Sequence, residues 1–453
     1  MPALLRYALL VPLLATAAAA QPVWQELAAS PFNDYRSEDL SFLDAERGWT
    51  VDGTGRVHRT LDSGATWTQT ASIGFDYLRA VAFVSPTVGW VGTLDNRRTL
   101  YETRDGGRTF TDISFRVNPL THGVCSLFAV SDQVVYGAGT YNGPATFLKT
   151  VNGGQTWTAR PLAPHLDTVV DVHFFDALHG LAVGGTGVFG GDIRPRVIET
   201  RDGGATWTVR HTVTSVTPGW GWKLSFPTPE VGYMSVEKYD GNPDAMILKT
   251  TDGGASWAEV TIPNAGNGNL QSVGFLTPDV GWVSGRGTTS MTTDGGATWT
   301  QLAIGEGLDP NVNRFQFIDG IGFASGHKIH RLDARGVLAE AGPDGGALLR
   351  LSPNPARDLV RIRYPASVGP ATIDVFDGLG RRVGGVDEPV ADGDAAWAVP
   401  AGLAPGAYTV RLRTATAEEP QAPSCSRAEP LDARPARERR RQRAGSGIEP
   451  PRA

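Results

Sequence analysis

Cysteine is nearly absent. The 453 residues hold only Cys125 and Cys425, far apart in the chain, which excludes a disulfide framework, a metal knuckle and a vicinal redox pair. The eight histidines show no paired metal spacing. Asp167, Asp171 and His173 come nearest, but their alternation around Val170 and Val172 reads as one edge of a strand rather than a cage. Neither sign of charge dominates: the net is −6, which argues against a nucleic-acid surface spread over the body. Long apolar runs are missing except at the amino terminus. There Arg6, the apolar stretch Tyr7 to Leu14, and small Ala18 and Ala20 before Gln21 read as a signal peptide over residues 1–20. Leu4 to Ala20 holds Arg6 and Pro12 and falls short of the roughly 20 apolar residues needed to span a bilayer. The mature chain is expected outside the cytoplasm, with no membrane span.

What the chain does have is glycine (56), proline (31) and a phrase that returns six times. Its copies run from Asp62 to Trp67, Asp105 to Phe110, Asn152 to Trp157, Asp202 to Trp207, Asp252 to Trp257 and Asp294 to Trp299, with first residues 42 to 50 positions apart. That period is the length of a propeller blade, a four-stranded sheet that cannot bury its faces until neighbours stack on it.

The sixth repeat shows the internal order. Leu270 to Leu276 alternates, Thr277-Pro278-Asp279 turns, Val280 to Ser284 returns, Thr288 to Thr293 leads into the phrase, and Thr298 to Ile304 follows it. The phrase is therefore the hairpin between the third and fourth strands. In it an aspartate is expected to accept backbone N–H groups two residues on, the glycine to take a left-handed conformation, and the terminal aromatic to be buried as a corner plug. A glycine followed by a large apolar residue also recurs, at Gly48-Trp49, Gly89-Trp90, Gly180-Leu181, Gly232-Tyr233 and Gly281-Trp282. A seventh unit has three strands, Phe315 to Phe317, Gly320 to Ser325 and Lys328 to Leu332, without a phrase after them. Val23 to Leu27 looks like its missing fourth strand. Pairing first strand with last three would close the ring and remove open sheet edges.

The sequence Lys249 to Trp257 resembles the Asp-box (BNR-type) repeat, and Gly-Trp followed by that box resembles the photosystem II assembly-factor-like propellers, over about residues 23 to 336. Similar boxes occur in sialidases, xyloglucan-cleaving glycosidases and sortilin-type receptors, so the box speaks for fold and not for activity. The resemblance implies that the boxes lie at blade corners, away from the binding face.

Residues 337–348 read as a Gly/Pro/Asp/Ala linker. Five or six short strands follow over 349–414, around Leu359 to Arg363, Ile373 to Asp377, Gly380 to Val383, Trp397 to Val399 and Gly406 to Arg411, and imply a small Ig-like β-sandwich. The Pro353-Asn354-Pro355 opening and the Pro-Gly-x-Tyr strand ending at Tyr408 resemble the type A carboxy-terminal sorting domain of the type IX secretion system, which implies the secretion machinery as a partner. Residues 415–453 lack such a domain's usual final strand. They read as a disordered Arg/Pro-rich tail, or as the product of a shifted reading frame.

Three signals imitate chemistry. Gly185-x-Gly187-x-x-Gly190 has the letters of a dinucleotide fingerprint but joins two strands of a blade instead of a strand and a helix. Asp240 to Asp244 resembles the start of a calcium loop, yet lacks its terminal Glu and contains Pro243. Asp39, Asp171 and Asp192 could supply a glycosidase carboxylate pair, but no sialidase-like set of arginines with a Tyr and an acidic partner is legible. No catalytic residue, cofactor or metal is assigned.

A binding site follows from aligning the first strands by Phe42, Phe83, Phe128, Phe174, Phe226, Phe275 and Phe317. Three or four residues upstream lie Glu38, Asp39, Arg79, Cys125, Asp171, Trp222, Lys223, Gln271, Asn313 and Arg314, which a closed ring brings to one mouth of the central channel. Asp39, Arg79, Asp171, Trp222, Lys223, Gln271 and Arg314 are the candidate contacts. Arg79 and Arg314 are expected to be free rim cations whose removal would abolish partner capture without loss of stability. The reading is an all-β, exported, non-catalytic seven-bladed propeller that binds a protein or a glycan, with a sorting sandwich behind it. The alternative is a secreted glycoside hydrolase using carboxylates at the same mouth.

Overall fold

The computed structural model describes residues 23–335, apart from 32–34, 75, 189–190, 267 and 303–310, and strand segments between 350 and 414 without the stretches 353–358, 364–370, 377–381, 391–393, 401–402 and 404–408. The signal peptide (1–20), linker (337–348) and tail (415–453) read from the sequence lie outside the described residues.

Seven antiparallel sheets make a β-propeller. Their innermost strands are Ser37–Phe42, Leu78–Phe83, Ser126–Ala129, Thr168–Phe174, Gly219–Ser225, Leu270–Phe275 and Arg314–Ile318. The seventh blade is completed by Trp24–Glu26, which pairs antiparallel with Ile329–Asp333, Trp24 opposite Leu332. The chain thus fastens its beginning to its end and leaves no gap in the ring. The third blade carries a fifth strand, Val117–Asn118, parallel to Trp157–Pro161. A 3₁₀ turn lies at Ser114–Arg116, and no described helix is long and apolar enough to cross a membrane.

The Gly-aromatic pairs hold neighbouring blades together. A Cβ on Gly48 would lie 2.5 Å from the Phe42 ring, so glycine is required for the first-strand phenylalanine to lie flat over the second strand. The next residue, Trp49, stacks on Phe83 of the following blade with centroids 3.7 Å apart, and its Nε1 donates to the Gly106 carbonyl of that blade's box at 3.0 Å. Tyr136 on Phe174 and Tyr233 on Phe275 repeat the stack. Phe323 on Phe42, at 3.6 Å, closes the ring.

The boxes sit between third and fourth strands as expected, but their chemistry differs in two respects. The Asp62 carboxylate accepts from the backbone N–H and hydroxyl of Thr66, four residues on, not two, and the Thr60 hydroxyl bridges Asp62 to the Gly64 N–H. Four residues on is where the turn brings the chain back, because two consecutive positions are left-handed: φ is 67° and 85° at Gly203 and Gly204. The equivalent pair in the first box is Ser63 and Gly64, at 60° and 84°. Asn152 preserves the arrangement, its Oδ1 accepting from the Thr156 N–H and its Nδ2 donating to the Thr156 hydroxyl. Second, the corner plug holds only for Trp157 and Trp257; Trp67, Phe110, Trp207 and Trp299 are half-buried. The box tryptophans meet neighbouring rings edge-on, as Trp67 does Phe42, whereas the strand-two aromatics are fully enclosed.

Beyond the propeller, Arg350–Ser352, Leu359–Arg363 and Asp394–Ala398 form one three-stranded sheet, and Arg382–Val390, Ala371–Phe376 and Thr409–Thr414 another. Ile362, Ala395 and Trp397 of the first share an apolar cluster with Ile373 and Val375 of the second.

Candidate binding basin at the propeller axis

Antiparallel order fixes what each face carries. First-strand starts, second-strand ends and the loops between second and third strands share one face; the boxes and the turns between first and second strands share the other. The aligned residues do converge at the axis, but they divide into two layers of different character.

The deeper layer is an ionic plug. Arg314, from the seventh blade, donates from Nε to Asp39 at 2.9 Å and from NH2 to Asp171, on the fourth blade, at 3.0 Å. Lys223 Nζ lies 3.8 Å from Asp171. Asp39 also accepts from the Val81 N–H at 3.0 Å, and Asp171 from the Ser126 hydroxyl and the Leu224 N–H. Burial alone would raise Asp171, but Arg314 and Lys223 outweigh it and hold the carboxylate well below the usual range. Burial pushes Lys223 down to about 8. Lys223, Asp39 and Asp171 are almost wholly enclosed. Arg314 is therefore not a free rim cation: it neutralises two buried carboxylates, so its loss cannot be silent for stability.

Arg79 is corrected likewise. It is buried against Glu38, 2.9 Å away, and its guanidinium lies over the Trp222 ring. Glu38 also takes Arg36 and the Tyr77 hydroxyl. Burial would raise Glu38, yet Arg79 and Arg36 hold it below the ordinary value. Cys125 is buried, and burial raises its thiol.

Above the plug lies a basin of about 490 Å³. Of the aligned candidates it takes in Arg79, Trp222 and Gln271, with Glu38 beside them; Asp39, Asp171, Lys223 and Arg314 are not in its lining. The sequence reading missed Trp220, Glu237, Tyr239, Arg286, Tyr77 and Tyr141. Several of these sit at or just after the end of a second strand: Glu237 in Gly232–Lys238, Arg286 after Gly281–Gly285, and Tyr141 after Val135–Gly139. Because strands one and two are antiparallel, aligning second-strand ends as well as first-strand starts would have found them.

The basin's polar groups are mostly committed to one another. Gln271 accepts from Arg36 and donates to Glu237 Oε1 at 2.6 Å, which also accepts from the Tyr239 hydroxyl at 2.9 Å; Arg286 lies 3.7 Å from the same oxygen. Burial raises Glu237. The Trp222 indole N–H is buried with no hydrogen-bond partner. Tyr77 and Tyr239 stand at the rim, 36% and 45% exposed, so the mouth is aromatic.

These geometries bear on the hydrolase reading. Asp39 and Asp171 share Arg314 and cannot flank a sugar. Asp192 is exposed in the loop after Gly180–Thr186, where it accepts from the Val188 N–H. The structure does bring a tyrosine to a glutamate beside arginines, in Tyr77, Glu38, Arg36 and Arg79. There, however, burial and then the Glu38 charge raise the phenol, and a carboxylate held ionised by two arginines is a poor base. Gly185 lies within the second strand of the fourth blade and Gly187 just after it, and Asp240 is paired with Lys238 at 2.8 Å. No group of three metal-ligating side chains occurs among the described residues.

A family model described as photosynthesis system II assembly factor YCF48 matches residues 163–274, the fourth and fifth blades and the first strand of the sixth. No curated protein matches the chain. Among solved structures, YCF48 bound to D1 peptide is similar at 21% identity and TM-score 0.52, over 69% of this chain and 96% of that one. YCF48 from Cyanidioschyzon merolae is similar at 18% and 0.53, over 69% and 98%. An ancestral GH74 enzyme is similar at 13% and 0.51, over 76% of this chain and 53% of that one. At such identities the likeness carries the propeller fold and not an activity.

Proposed function

We propose that the propeller is a non-catalytic platform that captures a segment of another protein in the axial basin. The observation that carries this reading is the basin itself: blind because the ionic plug lies beneath it, walled by Trp220 and Trp222, rimmed by Tyr77 and Tyr239, and with its two carboxylates, Glu38 and Glu237, already engaged by Arg79 and Arg36 and by Gln271 and Tyr239. Tryptophan, tyrosine and arginine are the residues that dominate protein–protein contacts, since they offer large area at low conformational cost. The solved relative with a D1 peptide is consistent with a protein ligand. The sequence adds export through the signal peptide and sorting through an Ig-like sandwich over 349–414, so the partner is expected on the outer side of the cell or in the medium.

The test is binding by the full-length secreted chain to proteins of its own envelope and medium, compared with Trp222→Ala. The substitution is expected to abolish a specific, saturable partner; because Trp222 is buried with Val170, Ile193 and Trp220 it is also expected to lower the unfolding midpoint, so binding is measured at a temperature where circular dichroism shows the variant folded. Retention of every partner by Trp222→Ala would refute the basin as the site. Removal of residues 349–414 is expected to stop release to the medium, and unchanged release would refute the sorting role.

A further inference from the structure

A second cavity of about 500 Å³ adjoins the basin and shares Leu94 and Tyr141 with it. It lies over the loops that follow Gly89–Thr93 and Val135–Gly139, between the second and third blades, and its other walls are Asp95, Asn96, His122, Thr140, Asn142 and Gly143. Its chemistry differs from the basin's. It has no aromatic wall but Tyr141 and no basic side chain but His122. Its one carboxylate, Asp95, already accepts from the Arg97 and Arg98 N–H groups, each at 2.7 Å.

The remaining polar side chains are not committed to one another. Asn96, His122 and Asn142 are exposed and make no hydrogen bond to any described residue. Thr140 is 3% exposed, and its hydroxyl has no partner. An enclosed hydroxyl without a partner costs free energy unless something satisfies it. Side-chain amides offer a donor and an acceptor together, which matches the alternating N–H and C=O of a peptide backbone.

We infer that this cleft is a second subsite, which holds the uncharged main chain of an extended peptide segment whose neighbouring residues fill the basin. The inference rests on the capture reading above and adds the length and course of the ligand: out from the axis, over Tyr141, between the second and third blades. Specificity is divided accordingly. The basin selects side chains through its aromatic walls, and the cleft reads backbone through Thr140, Asn142 and Asn96 and so accepts many sequences there.

Selection of displayed random peptides on the full chain tests this, with libraries of about six and about twelve residues, which span roughly 20 and 40 Å when extended. The expected result is that the longer peptides bind more tightly, and that Asn142→Ala with Thr140→Val weakens them about tenfold while leaving the shorter ones unchanged. His122→Ala and Asn96→Ala, at exposed positions, give the same readout should Thr140→Val perturb folding. Equal binding of long peptides by parent and all cleft variants, with loss on Trp222→Ala, overturns the cleft and leaves the basin standing. Failure to select any peptide overturns the capture reading and this one with it. Binding of a neutral oligosaccharide that the cleft variants abolish, in place of peptide, overturns the assignment of a main-chain ligand.

Discussion

Trp49→Ala separates the two kinds of aromatic in this ring. Trp49 is fully buried (0% exposed), stacks on Phe83 at 3.7 Å, carries the Arg59 guanidinium 5.3 Å from its ring, and donates to the Gly106 carbonyl. An enclosed aromatic withdraws about 150 to 250 Å² from water, which at about 25 cal/mol per Å² is roughly 4 to 6 kcal/mol. Stranding the Gly106 carbonyl adds about 1 kcal/mol, and partial collapse of the cavity gives some of this back. The expected loss is about 4 to 5 kcal/mol, the upper part of the range for Trp to Ala. Trp67→Ala removes a half-buried ring that meets Phe42 only edge-on, with centroids 6.1 Å apart, and whose Nε1 has no partner. Its expected loss is about 1 to 2 kcal/mol. Urea unfolding followed by circular dichroism gives both values, provided the denaturant slope is shared, so that the difference reports stability and not a change in the unfolded state. If Trp67→Ala costs as much as Trp49→Ala, the boxes hold the blades together and the strand-two stacks do not.

Arg314→Ala is expected to cost about 3 to 5 kcal/mol, because it leaves Asp39 and Asp171 buried without their shared cation; a thermal midpoint within a degree or so of the parent would show the plug to be solvated. Ser63→Gly is expected to stabilise by about 1 kcal/mol, since φ of 60° strains a residue with a Cβ, and calorimetry showing a loss would mean the serine side chain has a role in the box. Lys223 is held at about 8 by burial, below its ordinary value of 10.5, so between those limits the unfolded chain keeps a proton that the folded chain has given up and stability rises with pH. Lys223→Met is expected to remove that rise in chemical denaturation at pH 8 to 10; persistence of the rise would assign it to another group.

Much of the ring was legible because its signals are local and repeated. The box marks one hairpin per blade, and Val23 to Leu27 without a partner marked the closing strand. What the box aromatic does was not legible: Trp67, Trp257 and Trp299 meet the first-strand phenylalanine of their own blade, whereas Trp157 and Trp207 meet a ring of the preceding blade, and neither contact is written in the local phrase. The Gly48-Trp49 type of pair was visible as a motif, but its reason, a phenylalanine lying on the glycine, needs the fold. At the axis, register told which residues converge and not their depth. Arg79 lines the basin, whereas Arg314, from an equivalent strand start, is absent from its lining and joins Asp39 to Asp171. Charge alone could not show that each would find a buried carboxylate, because Asp171 reaches Arg314 across the ring from the opposite blade.

The central claim is that partners meet the basin face and not the box face. Photo-crosslinking in cells that make the protein tests it most directly, with a benzophenone amino acid in place of Tyr239 at the basin rim or of Val151 beside the third box. The account predicts a discrete protein adduct from position 239, lost when Trp222→Ala is added, and none from position 151. Adducts from 151 alone, or adducts from 239 that survive Trp222→Ala, would contradict it.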